Sequence, residues 1–155
     1  MMLQNEQIRR KRALMSAKKS INQLTYIKLI DFEKSDSKWI DLFRGALSDF
    51  RKIDSSPKFQ KPVGDDKSSY LVWIKSSLDF LKGKENYFIP VPNGISPVWA
   101  NVKILDFEKA IEELWDSSPT NEFAIADKST GQIAQVYSEE KYYEIHIKDI
   151  YKETY

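Results

Sequence analysis

The sequence predicts an α+β fold, with N-terminal helices packed on a mainly antiparallel sheet of about five strands. Apolar residues recur every three to four positions through the first half of the chain, the period of a helix with one buried face. Beyond Tyr87 they tend to alternate, the period of a half-buried strand. The last three strand-like runs are joined by connections too short for a parallel crossover, so they must pair antiparallel.

Residues 3–24 read as a helix, with Ile8, Leu14, Ala17, Ile21 and Leu24 along one stripe. Between them lies a basic run, Arg9-Arg10-Lys11-Arg12, followed by Lys18-Lys19. The stretch from Tyr26 to Ile30 fits either a continued helix or the start of an extended segment. A second helix covers residues 38–52, with Trp39, Phe43, Ala46, Leu47 and Phe50 on one face. Ser35, Asp36 and Ser37 are its candidate caps, because their side-chain oxygens can accept the free first-turn amides. Residues 54–66 contain Pro57, Pro62 and Gly64 and read as a surface loop. A third helix at about 68–82 turns Tyr70, Trp73, Ile74, Ser77, Leu78 and Leu81 inward, and Gly83 ends it. Residues 87–91 and 98–105 read as strands joined through Pro92-Asn93-Gly94, a turn signal. A short helix at 106–116, capped by Asp106, buries Phe107, Ile111, Leu114 and Trp115. Strands at 122–126, 132–137 and 142–148 follow, joined by hairpins at 127–131 and 138–141.

A chain of 155 residues suits one domain, residues 1–155, with a helical part at about 1–83 and a β-rich part at about 84–150. It contains no cysteine, which excludes disulfides, thiolate nucleophiles and cysteine zinc sites. The N-terminus lacks the apolar core of a secretion signal, and no apolar run is long enough to span a bilayer. A cytoplasmic protein with no membrane partner is the expectation. Net charge is +1 but unevenly placed. Residues 1–52 hold 12 Lys/Arg against 6 Asp/Glu, and residues 53–155 hold 12 against 17.

No catalytic, cofactor or metal motif is present. His146 is the sole histidine, flanked by Ile145 and Ile147. Alternation places it beside Glu144 and Lys148 in an exposed charged row, away from any nucleophile. One histidine without cysteine leaves only carboxylates as metal ligands, and the Asp65-Asp66 and Glu139-Glu140 doublets lack a calcium-loop pattern. Glu108, Glu112 and Asp116 lie four apart, as on a solvated helix face. The five glycines are isolated, so no phosphate-binding loop is present.

Two clusters point to partners. Tyr137, Glu139, Glu140, Tyr142 and Glu144 gather at the last hairpin, where tyrosines supply contact area and carboxylates attract a basic protein. Tyr142 and Tyr143 face opposite sides of their strand, so one of them leaves the main core unless a helix covers that side. Arg9, Arg10, Lys11 and Arg12 could instead line nucleic-acid phosphates, or pair with acidic groups elsewhere in the fold.

The C-terminal half carries Trp99–Lys103, then Asp106-Phe107-Glu108-Lys109-Ala110-Ile111-Glu112-Glu113-Leu114-Trp115, then Asn121–Asp127 and Gly131-Gln132-Ile133. In layout this stretch, roughly residues 97–150, resembles small bacterial immunity proteins of the polymorphic-toxin type. The resemblance implies a compact cytosolic α+β domain that binds and blocks a cognate toxin, and it carries over no individual residue. The sequence therefore points to a non-enzymatic protein-binding domain, an immunity- or antitoxin-like inhibitor of a basic toxin domain. The alternative is a nucleic-acid-associated protein using the basic N-terminal helix.

Overall fold

The computed structural model describes residues 2–92 and 98–151. The Asn93-Gly94 turn lies outside them. In chain order the elements are α1 (Met2–Asn22), β1 (Ile27–Phe32), α2 (Lys38–Phe50), β2 (Phe59–Pro62), α3 (Lys67–Ser77), a 3-10 turn (Asp79–Leu81), β3 (Tyr87–Pro90), β4 (Trp99–Ile104), α4 (Phe107–Ser117), β5 (Phe123–Asp127), β6 (Gln132–Ser138) and β7 (Tyr142–Asp149). The strands form one sheet in the order β1-β4-β3-β5-β6-β7-β2, and every neighbouring pair is antiparallel.

The α+β class agrees with the sequence, but the sheet has seven strands rather than five. Both additional strands are edges supplied by the N-terminal half. β1 is the segment whose register was ambiguous, and it pairs with β4 across a bulge between Leu29 and Asp31. β2 lies inside the proline-bearing stretch expected to be a loop, and pairs with β7. An edge strand tolerates Pro62 because only one of its sides needs ladder hydrogen bonds.

Strand alternation divides the core between the two faces of the sheet. One face carries Ile27, Ile89, Ala100, Val102, Ile125, Ala134, Val136 and Ile145, covered by the end of α1 and by α3 and α4. On this side the Tyr143 ring packs at a tilt against Tyr70 and Trp115, its centre 4.4 and 5.1 Å from theirs. The opposite face presents Phe88, Trp99, Ala126, Ile133 and Tyr137 to Ile40, Phe43, Ala46 and Phe50 of α2.

Local chemistry sets the helix starts. Ser37, Asp66 and Asp106 each accept a first-turn amide of the helix that follows. The Glu113 carboxylate takes the amides of Thr25 and Tyr26, tying the entry of β1 to α4. Phe43, Leu78, Ile111, Leu114, Trp115, Phe123 and Ile125 are buried as their spacing suggests, whereas Trp39, Leu47 and Trp73 are half-buried. The buried stripe of α1 runs through Ala13, Ala17 and Ile21, and Ile8 is exposed. Small alanines there let the helix lie close to Val98 and Phe32.

Coverage is unequal. Strands lie about 4.8 Å apart, so seven of them present a surface about 30 Å wide. A helix about 10–12 Å across shields only part of that width. Three helices cover one face, but α2 alone lies on the other, which leaves open sheet beside it.

Candidate functional site

The open strip at the C-terminal end of α2 forms a groove of about 710 Å³ over β6 and β7. Its floor is aromatic. Phe50 closes the last turn of α2 with its ring 5.3 Å from that of His146, and Tyr137 meets the same imidazole edge-on at 5.5 Å. His146 is therefore 4% exposed rather than part of a solvated row. The alternation was right, but α2 lies across the face that alternation assigned to solvent. Lys148, next on that face, is bonded to Asp49 of α2. Hydrogen bonds from Lys148 and Lys52 hold the Asp49 carboxyl well down, at about 2.

Arg51, just past α2, roofs one side. Its guanidinium sits 5.8 Å from the Tyr137 ring centre, and its Nε donates to the Tyr137 hydroxyl at 3.4 Å. That hydrogen bond, with a smaller contribution from the Glu122 charge, pushes the guanidinium further up and keeps it cationic. Glu144 accepts from Gln60 of β2 at 3.0 Å and places its other oxygen 3.4 Å from His146 Nε2. Glu122 accepts the Ser138 amide at 3.0 Å, which fixes the start of the hairpin loop.

Four of the five residues expected at a partner surface line this groove: Tyr137, Glu139, Glu140 and Glu144. Tyr142 is exposed but lies outside the lining. Tyr137 is buried between Arg51 and His146, so it is a floor residue and not a free anchor. The reason is again α2, whose last turn reaches over β6. Glu139 and Glu140 stand exposed at the tip and form no ion pair among the described residues. The sequence reading missed Arg51, Ile53 and Glu122. Ile53 is fully exposed on the groove wall, in the segment after α2. An isoleucine amid Lys52, Asp54 and Ser55 was the available signal.

The groove lining is rich in carboxylates and poor in hydroxyls. Ser55 carries the one serine or threonine hydroxyl in its lining, and that hydroxyl donates to the Phe50 carbonyl at 2.7 Å. Elsewhere, several carboxylates sit in separate ion pairs: Glu112 with Lys75, Asp116 with Lys67, and Glu33 with Lys128. No group of three or more metal-ligating side chains occurs among the described residues.

The basic run behaves differently from the acidic hairpin. Arg10 donates to the Glu33 carbonyl at 2.9 Å, while Arg9, Lys11 and Arg12 are exposed. The run does not pair with acidic side chains among the described residues. Four consecutive residues also spread around a helix, so they do not form one stripe.

No family model, curated protein or solved structure matches this chain. No helix among the described residues is long and apolar enough to cross a membrane.

Proposed function

We propose that this protein is a non-catalytic binding domain whose groove at the end of α2 receives a basic segment of a partner protein. The specific form is an immunity- or antitoxin-like inhibitor that occludes a cognate toxin. One observation carries this reading: exposed Glu139 and Glu140, in no ion pair among the described residues, share a groove with the fully exposed Ile53. Four carboxylates line the groove against three Lys/Arg side chains, and one of these cations, Lys52, shares the Asp49 carboxylate with Lys148. An apolar anchor ringed by charge is how protein interfaces combine burial with steering. The aromatic floor, held by Phe50 and Arg51, offers a preformed surface that needs little ordering on binding.

The test is co-expression with the product of the adjacent gene, followed by calorimetry on the purified pair. Glu139→Lys with Glu140→Lys should weaken binding at least tenfold and abolish its salt sensitivity. Unchanged affinity and unchanged salt dependence would move the interface off this groove.

A further inference from the structure

The outward face of α1 has a pattern that the groove does not use. Residues 7–30 contain seven Lys/Arg and no Asp or Glu. Ala13, Ala17 and Ile21 bury the inner face, so the opposite face looks outward. At 100° per residue, Ile8 and Met15 fall along the middle of that outward face. They are 44% and 64% exposed. Lys11 and Lys18 form a row on one side of this ridge, and Arg12 and Lys19 a row on the other. Within each row the seven-residue spacing is about 10.5 Å, and the rows, 100° apart on a helix about 10–12 Å across, hold their charges roughly 10 Å apart. All four cations are exposed, and none forms an ion pair among the described residues. Leaving four like charges unneutralised on one face favours any surface that supplies matching anions.

We propose that this face docks on double-stranded DNA. The two rows meet the phosphate rails that border the major groove, whose width of about 12 Å matches their separation. Ile8 and Met15 lie over the groove, where thymine methyl groups offer apolar contact. Phosphate contacts position and carry no sequence information, so the electrostatic part of the binding is sequence-indifferent. A lipid surface fits less well. The helix's continuous apolar stripe is buried in the protein, and an interfacial helix needs a broad apolar face of its own to insert. Duplex RNA also fits less well, because its major groove is deep and narrow. The surface lies on the layer opposite α2 and is independent of the groove's partner.

Fluorescence anisotropy with the full chain and a labelled 24-base-pair DNA duplex, between about 50 and 200 mM salt, tests this. Each phosphate contact contributes about 0.9 to the slope of log K against log salt, so four to five contacts predict a slope near −4. The variant carrying Lys11→Gln, Arg12→Gln, Lys18→Gln and Lys19→Gln should flatten the slope by about 3.6 and bind at least tenfold more weakly at 50 mM salt. Each single substitution, at an exposed site that leaves the fold intact, should flatten it by about 0.9. Glu139→Gln with Glu140→Gln should leave the slope unchanged. Three results would overturn the proposal: no wild-type binding at 50 mM salt, a quadruple variant that binds like wild type, or binding to phosphatidylserine vesicles without binding to the duplex.

Discussion

Lys128 Nζ lies 2.9 Å from Glu33 Oε2, joining residues 95 positions apart. Lys128 extends from the β5–β6 turn over the rings of Phe88 and Trp39, 4.4 and 5.7 Å from their centres. Glu33 also accepts from Ser37 at 2.7 Å and Asn101 at 3.2 Å. One carboxylate thus ties the end of β1 to β4, to the start of α2 and to the β5–β6 turn.

Glu33→Gln should cost about 1.5–3 kcal/mol, the range for hydrogen bonds to charged groups. Burial alone would raise the Glu33 carboxyl. Hydrogen bonds from Lys128, Ser37 and Asn101 outweigh burial and hold it below its ordinary 4.5. A depressed carboxyl stabilises the fold above the unfolded-state value, and the contribution disappears as pH falls through the folded-state value. Urea titrations of wild type and variant should therefore diverge at pH 7 and converge below pH 4.5. Equal separation at both pH values would show that the charge of Glu33 is irrelevant to its role.

Trp115→Ala should cost about 3–5 kcal/mol through lost burial and the cavity left behind. The indole is 4% exposed and packs against Tyr70 and Tyr143, with ring centres 6.3 and 5.1 Å away. Trp39→Ala should cost less, since that ring is half-buried at the edge of the second face. Denaturation midpoints in the reverse order would contradict this account of the two layers.

Two glycines should respond with opposite signs. Gly131 has φ +73°, and a Cβ there would meet Tyr151 Cδ2 at 2.7 Å and Ile150 Cγ1 at 3.0 Å. Gly131→Ala should destabilise by at least about 1 kcal/mol, the penalty for a side chain in left-handed backbone. Gly45 lies within α2 with nothing near its added Cβ. Gly45→Ala should stabilise by about 0.5–1 kcal/mol by restricting the unfolded chain and favouring helix. Melting temperatures of the two variants give the comparison, and a shift of the same sign in both would count against it.

Ile53→Asp separates binding from folding. Its side chain is fully exposed, and surface substitutions usually stay within about 0.5 kcal/mol. The melting temperature should hold while affinity for the groove's partner drops at least tenfold. A large loss of stability would mean that Ile53 packs in solution, and intact affinity would remove it from the interface.

Helical and strand periods, capping residues and short hairpin connections are local, so α1 to α4 and β3 to β7 were legible in the chain. The acidic hairpin tip was legible for the same reason, since Glu139 and Glu140 sit in a connection that strand alternation leaves exposed. β1 and β2 were not, because an edge strand forms only once a distant partner, β4 or β7, is in place. The fate of the second sheet face was not legible either. Alternation put Glu144, His146 and Lys148 on one side of β7, and only the tertiary structure set Tyr137 opposite Glu144 and laid α2 across that side, burying Tyr137 and His146. Which strip α2 leaves open depends on where a 13-residue helix about 10–12 Å wide comes to rest on seven strands, and no local spacing in the sequence encodes that position.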